Sequence, residues 1–418
     1  MLTDSLPDLT PYLRGGDTVM WGQATAEPLT LTRALVAQRA HFGCLDLFLG
    51  IDLSGTIRTE HTDHFRFMSY CGAGGNRALA KAGLLDIIPA PYSLLLRELA
   101  RAGMGIDVVL VQVAEADEDG MHSLGLANDL LIAAIEQARV VIAEVNPNVP
   151  RTYGERRLRP DEIDAFVPAA FAPLETASSV PSPQEERIAE HVASLVEDGA
   201  TLQVGLGGVA EATLRRLTDR KDLGIHSGIV GDALVDLAES GALTNARKGR
   251  NTGRSVAGIL MGTKRLYAYA NRNPDIQLRG TDETHGAEAL SSIERFVAIN
   301  SAIEVDLTGQ ANSEVANGDY IGAVGGAPDF LRAAHRSRGG IPVIALRSTA
   351  GERSRIVASL SGPASTARCD AGVIVTENGI ADLRGCSLTE RMRRMIAIAA
   401  PQHREQLECR SQLMGNSP

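Results

Sequence analysis

The chain has 418 residues, of which 44% are hydrophobic and 22% are charged, a composition typical of a soluble globular protein. This length exceeds what one ordinary hydrophobic core supports and predicts two domains of roughly 200 residues each. With 51 acidic and 41 basic side chains the net charge is −10, which argues against a general nucleic-acid-binding or anionic-membrane-binding surface.

Targeting, disulfide and metal signals are weak throughout the sequence. Met1–Asp4 lacks a basic segment followed by an apolar core, and no uninterrupted apolar run reaches about 18 residues, so we expect a cytoplasmic protein with no membrane partner. The five cysteines are scattered and lack CxxC spacing, which predicts reduced structural thiols. His61 and His64 would bind a metal together only if they shared a helix face, and we expect no metal.

Short Val-, Ile- and Leu-rich runs alternate with amphipathic helical stretches along the whole chain. Nearly continuous apolar strands separated by helices are typical of parallel or mixed sheets that are covered on both faces. The predicted fold class is therefore α/β. The clearest predicted strands are Thr18–Trp21, Val108–Val111, Val140–Ala143, Phe296–Ile299, Val343–Leu346 and Val373–Val375.

A Pro-, Ala- and Ser-rich segment between Phe166 and Glu186 has no clear periodicity and is predicted to be a linker. Its position divides the chain into two predicted domains, residues 1–175 and 176–418.

The two halves open in a similar way. Gly16–Val19 leads to a turn at Gly22 and then a helix, and Asp198–Thr201 leads to a turn at Gly205 and then a helix. We therefore expect two related open α/β domains. Because sites in open α/β sheets lie beyond the carboxyl ends of the strands, we expect the active site in the cleft between the two domains.

The most informative stretch contains two strand–turn–helix units in succession. In the first, Thr201–Val204 leads into Gly205–Gly208 and a helical pattern, and in the second, Gly224–Asp232 opens another helix. Two such turns can present backbone N–H groups to an oxyanion or a phosphate. A nicotinamide dinucleotide site is not expected, because Ala210 stands where the last glycine of GxGxxG would be.

These two units resemble the acetyl-CoA hydrolase and 4-hydroxybutyrate CoA-transferase family of class I CoA-transferases. The resemblance covers nearly the whole chain and depends on the order and spacing of several short strings. Those strings are Gly120–Gly125, Val141–Thr152, Met261–Arg265, Ala298–Gln310, Gly325–Phe330 and Val375–Gly385. The resemblance implies two α/β domains with an acyl-CoA site in the cleft, coenzyme A as the bound group and, by family precedent, a homodimer.

In that family the second unit usually reads Gly, an aliphatic residue, His or Tyr, Ser or Thr, and then Glu, which is the nucleophile. Here that position is Gly228, and glycine can form neither an acyl anhydride nor a CoA thioester. A missing side chain there is expected to leave room for a water molecule that a nearby base activates. Glu377 is the preferred base, because a partly buried carboxylate with a raised pKa can act near neutral pH, and His226 and Asp232 are alternatives.

Each of these three residues also has a structural interpretation. Glu377 could be a salt-bridge partner, His226 a hydrogen-bonded loop residue and Asp232 a helix N-cap. By resemblance, the backbone N–H of Leu206 and a glycine of the Gly325–Gly326 pair would form the oxyanion hole, and Glu377 would be the second acidic residue near the acyl carbonyl.

Several residues are candidates for contact with coenzyme A. The expected contacts are Lys264, Arg265, Asn300, Ser301, Gly205 and Gly207. Lys264 and Arg265 could be charge-assisted donors to the 3′-phosphate or pyrophosphate, although exposed basic residues are more often solvated. The glycines could equally be plain turn residues. Phe65, Phe67, Met68 and Tyr70 could line an acyl pocket, although Phe65, Phe67 and Met68 could equally belong to the core.

Three functions are compatible with the missing nucleophile. The first is attack by water on a CoA thioester or on a carbon–carbon bond of a β-oxoacyl-CoA, which resembles ring-opening hydrolases of the wider superfamily that lack the glutamate. The second is CoA transfer to a carboxylic acid acceptor through another carboxylate such as Glu377. The third is non-catalytic binding of acyl-CoA, and a transferase inactivated by a recent change is a further alternative.

Overall fold

The computed structural model describes residues 6–176, 180–205 and 207–415, without the side chains of 414 and 415. The chain divides into two compact units. The first consists of Met1–Ala177 and Val256–Thr284, and the second of Ser178–Ser255 and His285–Pro418. Residues 256–284 thus group with the first unit, although the sequence places them after the start of the second.

The described part of the first unit contains a seven-stranded sheet. Its strands are β1 (Thr18–Trp21), β2 (Leu45–Leu49), β3 (Phe65–Ser69), β4 (Leu85–Ile87), β5 (Val108–Val113), β6 (Val140–Val145) and β7 (Ala165–Pro168). Their order across the sheet is β7-β6-β5-β1-β2-β3-β4, and all neighbouring strands are parallel. Parallel neighbours need crossover connections, which the intervening helices supply.

The described part of the second unit contains a six-stranded sheet. Its strands are β8 (Thr201–Val204), β9 (Gly224–Ile225), β10 (Phe296–Asn300), β11 (Ile341–Ala345), β12 (Val373–Thr376) and β13 (Gly379–Asp382). Their order is β9-β8-β10-β11-β12-β13. The first five strands are parallel, and β12 and β13 form an antiparallel hairpin at one edge.

Helices connect these strands, and shorter strands lie outside the two main sheets. The α-helices are α1 (Leu29–Ala37), α2 (Asn76–Lys81), α3 (Leu95–Arg101), α4 (Asp129–Gln137), α5 (Pro183–Ser194), α6 (Gly208–Arg215), α7 (Ala233–Glu239), α8 (Lys264–Ala270), α9 (Thr281–Thr284), α10 (Ala287–Ser291), α11 (Ala327–Arg336), α12 (Leu388–Ile398) and α13 (Pro401–Gly415). The short strands include Tyr153–Gly154, Ile276–Leu278, Glu304–Asp306, Ala311–Asn312 and Ile356–Val357.

The α/β fold class predicted from the sequence is confirmed, as are the six predicted strands. Thr18–Trp21 has the predicted bounds, and the other five differ by at most two residues at either end. These strands are buried along most of their length because helices cover both faces of a parallel sheet.

The apolar residues Phe65, Phe67 and Met68 lie on β3 and are buried, the first two within the hydrophobic core of the first unit. Phe65 and Phe67 therefore belong to the core, which was one of the two interpretations of these residues. A second core in the second unit includes Phe296 and Phe330.

The predicted linker is shorter than expected, because ordered elements occupy both of its ends. Strand β7 extends to Pro168, and α5 begins at Pro183 behind a capping box. In that box the Glu185 side chain accepts from the Ser182 backbone N–H at 2.8 Å, and the Ser182 hydroxyl accepts from the Glu185 N–H at 3.3 Å. The described residues between these elements form neither helix nor strand.

Two buried carboxyl groups lie near the start of α1 in the first unit. The Glu144 carboxylate accepts a hydrogen bond from the backbone N–H of Thr30 at 2.8 Å. Glu27 accepts from the hydroxyls of Thr32 at 2.8 Å and Ser54 at 3.0 Å. Burial is the main cause that raises the pKa of both carboxyls to about 7, and the charge of Glu27 contributes to the shift of Glu144.

These raised pKa values predict that the first unit loses stability as the pH rises. The folded chain holds the two protons up to about pH 7, whereas a glutamate in the unfolded chain releases its proton near pH 4.5. The folded state therefore binds more protons across this window, and each carboxyl removes about 1 to 3 kcal/mol from the free energy of unfolding as the pH rises through it. The Glu144→Gln variant cannot titrate at this position and should lose less stability.

Urea denaturation of the wild type and of Glu144→Gln at several pH values between about 5 and 8 measures how the free energy of unfolding of each protein changes with pH. The exposed Glu115 provides the matched control. The free energy of unfolding of Glu115→Gln should change with pH as that of the wild type does. Equal slopes for Glu144→Gln and wild type would exclude Glu144 as a source of the pH dependence.

Candidate active site

Two glycine-containing turns meet at the carboxyl ends of β8 and β9. The Ser227 hydroxyl joins them, because it donates to the carbonyl of Val204 at 3.0 Å and accepts from the Val204 N–H at 3.3 Å. The Gly205 N–H donates to the Ile299 carbonyl at 2.9 Å. Gly207 has φ of 110°, a backbone conformation that residues other than glycine rarely adopt.

Leu206 stands between these glycines and lies outside the described residues. Its predicted contribution to an oxyanion hole therefore stays a prediction. The predicted strand and helix on either side of it are confirmed, since β8 ends at Val204 and α6 begins at Gly208.

The space beside Gly228 is occupied by the imidazole ring of His285. A Cβ atom placed on Gly228 would lie only 2.8 Å from Cε1 and Nε2 of that ring. Such a separation is far shorter than an ordinary contact between carbon atoms. The ring therefore occupies the space next to the backbone at position 228, and the expected water molecule stays a prediction.

Gly326 faces the same ring. A Cβ atom placed there would lie 2.7 Å from Cδ2 and Nε2 of His285. Gly325 has φ of 58°, and Gly326 is the N-cap residue of α11. The glycine pair expected to form the oxyanion hole thus stands at a helix N-terminus, where backbone N–H groups lack intrahelical partners.

His285 is 5% exposed and packs against Phe330 of α11, with ring centroids 4.6 Å apart and planes inclined by 43°. Burial is the main cause that lowers the pKa of His285 to about 3, and charge repulsion by His226 contributes to the same shift. The positive end of α11 at Gly326 acts in the same sense. The ring is therefore neutral at physiological pH.

The predicted bases occupy different environments. His226 is completely buried and its backbone N–H donates to the Leu202 carbonyl at 3.0 Å. Asp232 is buried at the N-cap position of α7. Glu377 follows β12, and its two carboxylate oxygens accept from Ser348, one from the backbone N–H at 2.8 Å and one from the hydroxyl at 2.5 Å. Ser348 thereby fixes the orientation of the Glu377 carboxylate.

A cavity of about 160 Å³ lies beside the first glycine turn, within the second unit. Four of the residues predicted to contact coenzyme A line it, namely Gly205, Gly207, Asn300 and Ser301. The Asn300 amide donates to the Gln203 side chain at 2.9 Å, which fixes its orientation.

Sequence reasoning missed three charged residues that line this cavity, Glu185, Arg347 and Arg355. The Arg355 guanidinium donates to the carbonyls of Ala302 and Ile303. Its pKa is lowered, first by burial and then by the positive charge of Arg347. Arg347 directly follows a predicted strand, and its position at the carboxyl end of a parallel strand was a usable signal.

Lys264 and Arg265 begin α8 in the first unit. Lys264 lines a cavity of about 320 Å³ in that unit. Its side chain is exposed and its Nζ lies 3.7 Å from a Glu175 carboxylate oxygen, while its backbone N–H donates to the same carboxylate at 3.0 Å. A role of either residue in phosphate binding stays a prediction.

His61 lies in a short 3₁₀ helix, Thr59–Asp63, and its Nδ1 accepts from the Arg58 backbone N–H at 3.1 Å. Among the described residues, no group of three or more His, Cys, Asp or Glu side chains could hold a metal ion. In the same part of the chain, no helix has the length and apolar character needed to cross a membrane. The homodimer and the cytoplasmic location stay predictions.

Comparison with known proteins gives consistent matches over most of the chain. The N-terminal domain model of acetyl-CoA hydrolase/transferase matches residues 4–167, and the C-terminal domain model matches residues 262–410. The 4-hydroxybutyrate coenzyme A transferase of Clostridium kluyveri is 36% identical over 401 residues, covering 93% of this chain and 92% of that protein. The succinyl-CoA:cyclohexane-1-carboxylate CoA transferase of Geobacter metallireducens is 34% identical over 401 residues, covering 94% and 91%.

Among solved structures, RipA from Yersinia pestis is similar to this chain. It superimposes with a TM-score of 0.93 at 34% sequence identity, covering 97% of this chain and 96% of RipA.

The contact between Gly228 and His285 predicts a cost for any side chain at position 228. The Gly228→Ala variant should lose about 1 to 3 kcal/mol of unfolding free energy, because its Cβ forces the buried ring to move. Chemical denaturation of Gly228→Ala, His285→Ala and the double variant measures the coupling between the two positions. Gly228→Ala should lower the free energy of unfolding by less when His285→Ala has already removed the ring.

Gly105→Ala provides the matched control, since a Cβ placed there meets no atom within 4 Å. This variant should be close to wild type in stability. An equal cost of Gly228→Ala with and without the His285 ring would contradict the steric explanation.

Proposed function

Because this chain belongs to the acetyl-CoA hydrolase/transferase family, we propose that it acts on an acyl-CoA thioester through attack by water. The bond that water breaks would be the thioester itself or a carbon–carbon bond of a β-oxoacyl-CoA. The fold and the family support an acyl-CoA substrate, and the residues at position 228 and around it support hydrolysis over transfer.

The observation that carries this proposal is the pair formed by Gly228 and His285. Transfer by the usual route needs a carboxylate that holds the acyl group and then CoA as covalent intermediates. Glycine offers no such group, and the His285 ring lies 2.8 Å from where a Cβ would be. Hydrolysis needs only water, a base and donors for the oxyanion, so it does not depend on a side chain at position 228.

The glycine pair at the N-terminus of α11 supports the oxyanion part of this mechanism. As water adds to the thioester carbonyl, negative charge develops on the carbonyl oxygen, and N–H groups of Gly325 or Gly326 would donate to it. A donor placed for the oxyanion typically contributes about 2.7 to 4 kcal/mol to the stabilisation of such a transition state. Leu206 would supply the second donor.

The cavity of the second unit is our candidate for binding an anionic part of the substrate. Arg347 and Arg355 bring two positive charges to it against the one negative charge of Glu185. This net positive charge suits the pyrophosphate of coenzyme A or a carboxylate. Asn300 and Ser301 add polar side chains at the carboxyl end of β10.

CoA transfer is the second candidate function, and two observations favour it. The relatives that are 34 to 36% identical to this chain are named as CoA transferases. In addition, Ser348 fixes the orientation of the Glu377 carboxylate, which could take the place of the usual nucleophile. Each Glu377 oxygen accepts one hydrogen bond from Ser348 and keeps a further lone pair for attack.

The proposal predicts release of free thiol from acyl-CoA in the absence of any acceptor acid. The purified protein is incubated with a panel of acyl-CoAs in water, with and without acetate or succinate. Free thiol and exchanged thioester are measured in parallel. Thiol release at a rate that the acceptor does not change is the expected result.

Two other outcomes would contradict hydrolysis. Exchange that requires the acceptor and disappears in Glu377→Gln would identify a CoA transferase that uses Glu377. Binding of acyl-CoA without turnover of any kind would identify a non-catalytic binding protein.

A further inference from the structure

One ring nitrogen faces both parts of the expected reaction centre. Nε2 of His285 lies 2.8 Å from the Cβ position of Gly228 and 2.7 Å from that of Gly326. Gly228 occupies the position of the family nucleophile, and Gly326 belongs to the pair expected to bind the oxyanion. The imidazole thus reaches the place from which a glutamate side chain would otherwise extend.

The absence of both side chains is required for this position of the ring. A methyl group on either glycine would come closer to the ring than carbon atoms normally approach. Phe330 packs against a third side of the imidazole, and the centroids of the two rings are 4.6 Å apart. The surroundings therefore hold the imidazole in one place.

The ring also has the protonation state that a base requires. A neutral imidazole carries one N–H donor and one nitrogen that accepts a proton. Burial and the neighbouring His226 disfavour the imidazolium form. His285 is consequently in its proton-accepting form throughout the physiological pH range.

We propose that His285 is the general base of this enzyme and takes over the catalytic position that the missing glutamate leaves. This inference rests on the proposed hydrolysis. The oxygen of water bonds to the thioester carbonyl carbon, its proton passes to the imidazole, and the carbonyl electron pair moves to oxygen. When the carbonyl re-forms, the C–S bond breaks and the imidazolium gives its proton to the departing sulfur. The products are a carboxylic acid and free CoA thiol, and the imidazole is neutral again.

Among the candidate bases, His285 supplies the nearest side-chain atoms to the Cβ positions of both Gly228 and Gly326. Both oxygens of Glu377 already accept hydrogen bonds from Ser348. Asp232 stands at the N-cap of α7. His226 is the second imidazole of this region, and its variant belongs in the experiment.

The experiment measures steady-state hydrolysis by His285→Ala, His285→Asn and His226→Asn in the full chain. Asparagine keeps an N–H donor but cannot accept a proton, so it separates a base from a hydrogen-bond donor. We expect kcat to fall by about 10²- to 10⁴-fold in both His285 variants, the range for loss of a general acid–base group. KM and the affinity for CoA should change little, and added imidazole should restore part of the activity of His285→Ala.

His122 offers a matched control in the first unit. It is also a buried histidine that packs against a phenylalanine, with ring centroids 5.3 Å apart and planes inclined by 42°. Its Nδ1 is 2.8 Å from the Ala114 carbonyl. His122→Asn should keep the wild-type kcat, which would show that loss of a buried imidazole alone does not abolish activity.

Several results would overturn the assignment. A wild-type kcat in His285→Asn would limit the ring to packing or to hydrogen-bond donation. A fall in kcat for His226→Asn alone would assign the base to His226. Should His285→Ala fail to fold, His285→Asn and its CoA affinity decide the question. If the wild-type protein releases no thiol from any acyl-CoA, the proposed hydrolysis itself fails, and this is known before any variant is compared.

Discussion

The imidazole of His285 can lie where it does only because two residues from different turns have no side chain. Gly228 follows β9 and Gly326 precedes α11, and the ring fills the volume that a Cβ on either would need. The parallel order of β9, β8 and β10 brings the ends of these strands to one edge of the sheet. Ser227 then ties the turn that contains Gly228 to the end of β8. The sheet sets the positions of the turns, and the glycines set the distance at which a side chain can approach them.

In both units, burial shifts the pKa of titratable groups in the direction that favours their neutral form, and that direction follows from the charge of the ionised form. Exclusion of water raises the pKa of Glu27 and Glu144, whose ionised form is an anion. The same exclusion lowers the pKa of His285, whose ionised form is a cation. Arg355 shows how a partly buried group stays charged, since backbone carbonyls of its own unit accept its N–H groups. A neutral interior and a charged cavity wall are thus compatible within one fold.

The central strands were predictable because parallel strands buried on both faces appear in the sequence as continuous apolar runs. Strand β3 was not recognised because exposed Arg66 interrupts its apolar run, and β4 has only three residues. The glycine turns and the family resemblance located Gly228 and the Gly325–Gly326 pair. His285 could not be found in this way, since it stands outside any recognised string and only the folded chain brings it to the two glycines. The close approach of a ring is a property of three-dimensional packing and leaves no local pattern in a sequence.

The close packing of His285 on Gly228 and Gly326 also limits how the chain can be engineered. A Cβ atom on Gly228 would lie 2.8 Å from the ring, and Gly326 and Phe330 enclose the ring on other sides. A glutamate introduced at position 228 therefore meets occupied space while the imidazole keeps its position. A redesign that places a carboxylate there needs a second substitution at position 285, made together with the first.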